Sequence, residues 1–237
     1  LSAIVGLNTV KEYVRDIAQN VQAQQRRKAQ GLPTADVSMH MIFTGNPGTG
    51  KTTIARILAK YLKAIGALRG GQLVEVSRAD LVGRYVGHTA PLTNAVIQSA
   101  LGGVLFIDEA YSLYHGAEDS FGLEAIDTLV KGIEDHRNDL VVILAGYTRE
   151  MQQFLGANSG LASRFPNQIE FPDYSGEELY RITLSLAKSK GYLLDESCRM
   201  PLTTWFDRKQ AEDAATNGNG RMARNTLEKA ILNQSKR

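Results

Sequence analysis

At 237 residues, of which 43 % are hydrophobic and 22 % charged, the chain can bury the core of one ordinary domain plus a smaller appendage, and its composition is that of a globular protein, not a disordered or fibrous one. A formal net charge of +2 argues against a nucleic-acid partner, which normally shows as a clustered basic face. No apolar run reaches the roughly 18 residues that cross a bilayer and no charged-then-apolar leader opens the sequence, so a cytoplasmic protein with no membrane contact is expected.

In chain order, Ile4-Val5-Gly6-Leu7 is a short apolar patch ahead of a helix with a capping box, Thr9 as cap and Glu12 three residues on. Val10, Val14, Ile17 and Val21 form its buried stripe. Arg26-Arg27-Lys28 is the densest basic run, and its place where this helix ends reads as compensation of the helix C-terminus. Gly31-Leu32-Pro33 closes the segment. The opening residue, Leu1, predicts a processed chain or a fragment.

Met39 to Thr44 is an apolar run of strand length, and Gly45-Asn46-Pro47-Gly48-Thr49-Gly50-Lys51-Thr52 follows, fitting G-x-x-x-x-G-K-[ST] at every fixed position. From Thr53 the spacing turns helical, with Ile54, Ile57, Leu58 and Tyr61 on one stripe. Strand, loop and helix together are the context this phosphate-binding motif demands. Glycines let the backbone of Asn46 to Thr53 curl so that its N–H groups, which every residue there but Pro47 carries, point toward phosphate oxygens at a helix N-terminus. Lys51 would reach the β- and γ-phosphates of a nucleoside triphosphate, and the Thr52 hydroxyl would ligate Mg²⁺.

Leu73 to Ser77 reads as a second strand, Arg78 to Thr89 as an irregular glycine-containing segment, and Pro91 to Leu101 as a helix stopped by Gly102-Gly103. Val104-Leu105-Phe106-Ile107-Asp108-Glu109 is a continuous apolar run, as in a strand covered on both faces, ending in two carboxylates. That end is where open α/β sheets bind ligands. Asp108 would hold Mg²⁺ and Glu109 would deprotonate the attacking water. Leu123, Ile126, Leu129, Val130 and Ile133 outline another helix, and strands follow at Leu140–Ala145 and Gln168–Phe171. The alternation predicts a parallel five-stranded sheet between helices.

After Phe171-Pro172-Asp173-Tyr174 no strand is expected. Ser175 and Glu178 form a capping box opening a helix that ends near Gly191, a second helix includes Trp205 and Phe206, and a third runs from Arg221 toward Lys236. The chain is therefore divided into an α/β domain, residues 1–174, and a small helical lid, 175–237. Its one cysteine, Cys198, excludes an internal disulfide and is expected to be a small buried residue, and His40, His88, His115 and His136 lack metal-ligand spacing.

Gly45 to Thr52 together with Asp108-Glu109 resembles the AAA+ ATPases. Arg78 to Ala90, Gly102 to Tyr111, Leu144-Ala145-Gly146-Tyr147 and Phe171 to Tyr174 are similar to the subgroup of stage V sporulation protein K and red-type Rubisco activase. Ile54-Ala55-Arg56, Ala125 to Gly132 and Ser163 to Pro166 lean toward the sporulation protein. The resemblance covers nearly the whole chain.

It implies a ring of identical subunits, six in number, that hydrolyses ATP with Mg²⁺ to remodel an unidentified protein substrate. It also implies residue roles. Arg164 matches an arginine finger reaching the neighbouring subunit's γ-phosphate, and Arg221, with Arg224 as competitor, the lid arginine called sensor 2. Thr148 falls at sensor 1, where many relatives carry asparagine. Val5 and Gly6 match the adenine-pocket segment, and Tyr85-Val86-Gly87 the aromatic pore loop of rings that thread protein. The rival readings are an activase-like chaperone, a nucleic-acid motor or loader, and a nucleotide switch; Tyr85 and the missing basic patch speak against the second, Glu109 against the third.

Overall fold

In the computed structural model, which describes residues 1–236, the chain forms two compact units: Thr9–Thr44 with Lys51–Glu170, and Leu1–Asn8 and Gly45–Gly50 with the described residues from Phe171 onward. The first unit holds α1 (Asn8–Ala29), β1 (Met41–Thr44), α2 (Lys51–Ala64), β2 (Leu73–Val76), α3 (Arg78–Leu81), α4 (Thr89–Ala100), β3 (Val104–Ile107), α5 (Ser120–Asp135), β4 (Val141–Gly146), α6 (Thr148–Ala157), α7 (Ser159–Ala162) and β5 (Asn167–Glu170). The strands form one parallel sheet in the order β2-β3-β4-β1-β5. Strands of four to six residues suffice because each central one is buried on both faces.

Alternation along the strands divides the core. Ile42, Leu105, Ile107, Val142 and Leu144 share one cluster with Ile97 of α4, Leu129 and Ile133 of α5, and Met151 and Phe154 of α6. Met41, Phe43, Val104, Phe106 and Ile143 occupy the alternate strand positions and are equally buried. Each such side chain contributes about 1.5–3 kcal/mol of apolar burial.

The second unit holds α8 (Gly176–Ser189), α9 (Arg199–Asn217) and α10 (Gly220–Gln234). The Ser175 and Glu178 capping box is present in both directions, as the spacing predicts. Asp207 Oδ1 accepts from the Gly176 N–H at 2.6 Å and joins α9 to the start of α8. The span of α9 is two helices in series: Asp213 is extended (φ −168°, ψ 90°), and its carboxylate accepts from the Thr216 N–H and restarts the helix.

Several local expectations are corrected. The first helix begins at Asn8, so Thr9 lies within its first turn and is not the cap. The buried stripe of α2 is Ile54, Ala55, Leu58, Ala59 and Leu62, with Tyr61 40 % exposed; the two alanines lie on the buried face, where apolar spacing alone counts them little. Arg78–Leu81 is helical, because Ser77 and Asp80 form a capping box that a search for long periodic segments passes over. Cys198 is a free thiol, half-buried instead of enclosed.

His40, immediately before β1, is 6 % exposed, and its Nδ1 accepts the Val142 N–H at 3.0 Å. Burial holds its pKa down at about 4. Between the folded value and an unfolded value near 6.5, the unfolded chain binds the extra proton, so stability falls as pH drops through that window. Unfolding followed from pH 7 to 4 should show up to roughly 3 kcal/mol of loss from this residue. His40→Asn, which keeps an acceptor for Val142, should flatten that slope; an unchanged slope would place the acid sensitivity elsewhere.

Candidate functional site

In the unit containing residues 45–50, the phosphate-loop backbone is held by its carbonyls. Asn46 O accepts from Thr49 Oγ1 (2.8 Å), Pro47 O from Asn219 Nδ2 (3.3 Å), Gly48 O from the Gly220 N–H (2.8 Å) and Thr49 O from the Tyr174 hydroxyl (3.0 Å). In a trans peptide the N–H of the next residue points opposite the carbonyl. The Gly48, Thr49 and Gly50 N–H groups therefore face away from the residues that bind the carbonyls, as a cradle for an anion requires. Gly48 has φ +71°, and a Cβ there would collide with the Gly218 carbonyl, so no other residue fits.

Asn219 organises this unit. It is fully buried, and its Oδ1 accepts from the Tyr174 N–H (2.9 Å) and Gln210 Nε2 (2.7 Å), while its Nδ2 donates to Pro47 O and Asp173 Oδ1 (2.9 Å). Asn46 Nδ2 donates to the same Asp173 carboxylate at 2.9 and 3.1 Å. Burial, then the charge of Glu178, pushes the Tyr174 hydroxyl up to about 12, which keeps its proton available for Thr49 O. Gly6 (φ +64°) packs against Glu178 and Tyr174, and Leu7 against Gly50, so the segment with Val5 and Gly6 lies beside the loop. Arg221 is in the first turn of α10 with its backbone N–H on Gly218 O (2.9 Å), next to Gly48; Arg224 is a turn further along.

In the other unit, the candidate residues collect on the carboxyl edge of the sheet. Lys51, Thr52 and Thr53 form the first turn of α2, which follows β1. Asp108 and Glu109 directly follow β3, with the Asp108 N–H on Val76 O (2.9 Å) and the Glu109 N–H on Asp108 Oδ1 (3.0 Å). Glu109 is exposed and left-handed, at φ 48°, ψ 49°, a conformation costing a non-glycine residue about 1–2 kcal/mol. Strain of this kind gathers at functional positions. Thr148 opens α6 after β4, two residues beyond Gly146. Tyr111 lies against Tyr147 with ring centroids 6.1 Å apart, and burial followed by the charge of Glu109 raises its hydroxyl to about 12.

Arg164 is elsewhere. It precedes β5, whose first residue, Asn167, is paired with Met41 at the start of β1, so it sits at the amino edge, a strand length of roughly 13 Å from the opposite edge and three strands across from β3, whose end carries the carboxylates. Its guanidinium donates to Glu134 and to the Gly160 carbonyl, and its Nε has no hydrogen-bond partner. Tyr85 and Val86, in the loop between α3 and α4, are 68 % and 87 % exposed. Among the described residues no group of three or more His, Cys, Asp or Glu could hold a metal; one hydroxyl and one carboxylate, Thr52 and Asp108, are the modest donor set that suits Mg²⁺ bound mainly by phosphates and water.

Sequence reasoning missed Asn219 as the clamp on the loop, although Gly218-Asn219-Gly220 between two helical stretches was the signal. It also missed the pairing of Arg78 with Asp119, which nothing local announces.

A five-stranded parallel sheet with a phosphate loop after β1 and paired carboxylates after β3 defines a P-loop ATPase. The chain belongs to the AAA ATPases: residues 41–173 match the ATPase family associated with various cellular activities (AAA), and residues 175–237 match the AAA lid domain. It is 45 % identical over 238 residues to stage V sporulation protein K of Bacillus subtilis (strain 168), covering 100 % of this chain and 74 % of the relative. It is 43 % identical over 235 residues both to the chloroplastic ribulose bisphosphate carboxylase/oxygenase activase of Cyanidioschyzon merolae (strain NIES-3377 / 10D), covering 99 % and 80 %, and to protein CbbX of Cereibacter sphaeroides, covering 99 % and 75 %. The solved FIGL-1 AAA domain in complex with ADP shares the fold at TM-score 0.58 and 22 % identity, over 79 % of this chain and 60 % of that one. No helix among the described residues is long and apolar enough to cross a membrane.

Asn219→Ala leaves the Tyr174 N–H without its acceptor, Gln210 Nε2 with the Tyr174 carbonyl alone, and Pro47 O without its donor. The expected loss is about 3 kcal/mol in urea unfolding, with weaker ATP binding as the loop loosens. Asn219→Gly should lose less, since Asn219 has φ +49°, a conformation glycine adopts freely. Unchanged stability in Asn219→Ala would mean that the network carries little weight.

Proposed function

We propose that this ATPase works as a ring of identical subunits, six in number, that couples ATP hydrolysis to pulling on an extended protein substrate in the cytoplasm. The observation that carries this reading is the division of candidate residues between opposite edges of one sheet: Lys51, Thr52, Asp108 and Glu109 at the carboxyl edge, Arg164 at the amino edge. Subunits arranged head to tail bring one chain's amino edge to the next chain's carboxyl edge.

In this reading the loop from Asn46 to Thr53 binds the phosphates through its N–H groups, with Lys51 on the β- and γ-phosphates. Thr52 and Asp108 are the residues that would hold Mg²⁺, whose charge offsets that of the phosphates. Glu109 takes the proton of the attacking water. Thr148 orients that water through its hydroxyl. Val5 and Gly6 line the adenine side, and Arg221, favoured over Arg224 by its position beside Gly48, reports nucleotide state to the lid. Residues 1–174 and 175–237 remain our functional division, supported by the family boundaries.

Arg164 stabilises the neighbour's transition-state charge after exchanging Glu134 for phosphate. Tyr85, Val86 and Gly87 grip the substrate; an exposed aromatic gives large contact area with few rotatable bonds and no need of a particular sequence. What supports this is the exposure of Tyr85 and Val86 at a loop whose base is pinned. The sporulation-protein branch is our reading, and an activase-like chaperone is the second, supported by the comparable identity to both kinds of relative.

Lys51→Ala should weaken ATP binding by roughly 10- to 100-fold, the loss of a charge-assisted contact. Glu109→Gln should bind ATP normally and turn it over about 10²- to 10⁴-fold more slowly. Calorimetric titration and phosphate release separate the two, and full turnover by Glu109→Gln would remove it as the base.

Mixing Arg164→Ala subunits with Glu109→Gln subunits tests the ring. Some interfaces then pair an intact Arg164 with an intact Glu109, so activity should rise above the diluted sum of the parents. Strict dilution, with subunit exchange demonstrated by fluorescence transfer, would contradict a shared site.

A further inference from the structure

Arg78 is the first residue of α3, directly after β2 and Ser77, and its guanidinium is largely enclosed, with 26 % of the side chain exposed. Its Nη1 donates to the Ser112 carbonyl (2.8 Å) and to Asp119 Oδ2 (2.7 Å), and its Nη2 to Asp119 Oδ1 (3.1 Å). This two-pronged, charge-assisted geometry is available to arginine and not to lysine. Asp119, 13 % exposed, also caps α5 through the Gly122 N–H (3.1 Å) and accepts the His115 N–H (3.3 Å). The Arg78 hydrogen bonds, foremost, hold its carboxyl down at about 2, so the pair stays ionised at any working pH.

The three groups joined here lead to different places. Ser112 belongs to the short 3₁₀ turn Ala110–Leu113 that begins beside Glu109, and the Ser112 N–H is bonded to Glu109 O at 2.9 Å. In the other direction, α3 runs straight into the Tyr85 loop. That loop is pinned at its base: Thr93 Oγ1 donates to Leu81 O (2.8 Å), the Gly83 N–H donates to Thr89 Oγ1 (3.0 Å), and Leu81, Thr89 and Thr93 are fully buried. At Gly83 a Cβ would lie 2.7 Å from the His88 Cβ, so the loop's two feet touch. The tip, Arg84 to His88, is exposed.

A loop with a stiff base moves as its base moves. The bonds therefore run in an unbroken series from Glu109 through the 3₁₀ turn to Arg78, then along one helical turn to the loop that carries Tyr85. A displacement of the turn after Glu109 must either carry Arg78 with it or break the charge-assisted hydrogen bond from Arg78 Nη1 to the Ser112 carbonyl, while Asp119 holds the guanidinium through the other two.

We infer that Arg78 is a positioning residue, a strut that joins the catalytic end of β3 to the Tyr85 loop so that a change at Glu109 is transmitted to residues 83–88, with Asp119 as its anchor. This rests on the proposed roles of Glu109 and Tyr85. Linkage makes the coupling reciprocal: whatever holds the loop also biases the nucleotide end.

The test is hydrogen exchange on the full chain with ADP or with a slowly hydrolysed ATP analogue, in the native protein, Arg78→Gln, Arg78→Lys and Asp119→Asn. Amides 45–52 report nucleotide occupancy, and amides 83–88 report the loop. In the native protein, loop protection should differ between the two nucleotides by about fivefold or more. In Arg78→Gln and Asp119→Asn that ratio should fall to near one while protection at 45–52 persists. Arg78→Lys, which keeps the charge and loses the fork, should lie between.

A pair with only a structural role would lower the melting temperature and leave the ratio as it is; that result, or a native ratio of one, overturns the inference. Asp119→Asn retains an oxygen for the α5 cap and so guards against an unfolded Arg78→Gln protein. The grip reading is tested separately, by binding of fluorescein-labelled casein to native and Tyr85→Ala protein. Equal binding there would discard the grip and leave the strut standing or falling on the exchange ratio alone.

Discussion

Three of the eight residues from Gly45 to Thr52 are glycine, and each glycine has maximal freedom to lose on folding and no side-chain surface with which to stay folded. Here the backbone itself supplies the hold. The carbonyls of residues 46–49 are each bound, by Thr49, Asn219, the Gly220 N–H and Tyr174 in turn. Fixing the carbonyls of Pro47, Gly48 and Thr49 fixes the opposite N–H directions of Gly48, Thr49 and Gly50 at no cost to the anion-binding face. Because three of the four partners come from residues 174–220, the order of the loop and the order of the helical segment in the same unit depend on one another.

Long-period features were legible in the sequence, and short-range geometry between distant residues was not. Strand, loop and helix around Gly45 to Thr52, the continuous apolar run ending in Asp108-Glu109, and the Ser175 and Glu178 capping box all announce themselves within a dozen residues, where apolar spacing and side-chain chemistry act together. The pairs that tie those pieces together escape such a reading. Asn219 contacts residues 172 and 46 positions away, and Arg78 meets Asp119 across 41. An arginine or an asparagine carries no mark of its partner. The α2 stripe failed for a different reason: Ala55 and Ala59 are core residues whose small apolar surface barely registers in periodicity, while the larger Tyr61 registers and is exposed.

Glu109 shows how local strain and site chemistry meet. Its left-handed backbone, one residue after Asp108 has left β3, turns the chain into the 3₁₀ turn. The turn could not follow a regular extended residue at that point, so the cost at Glu109 is met by what lies around it: the Asp108 Oδ1 to Glu109 N–H bond, the Ser112 N–H on Glu109 O, and the burial of Ala110 and Leu113. A residue held this way has few alternative positions. That suits a proposed base that must meet one water, and it means that motion at Glu109 is shared with the turn.

The sheet's polarity sets the last constraint. All five strands run parallel, so the chain has one carboxyl edge and one amino edge, and no loop within it returns Arg164 from the second to the first. Four residues of strand separate the two edges, about 13 Å, and an extended arginine side chain spans only about half of that. If Arg164 serves a nucleotide at all, that nucleotide belongs to another copy. Its contact with Glu134 and the Gly160 carbonyl then has a plain reading: in a single subunit the guanidinium occupies the acceptors nearest to it, and exchanging a half-exposed carboxylate for a more highly charged phosphate is electrostatically favourable once a neighbour presents one. Assembly in this proposal is therefore a requirement of the chemistry and not an addition to it, since no single copy of the sheet can present both edges to the same phosphate.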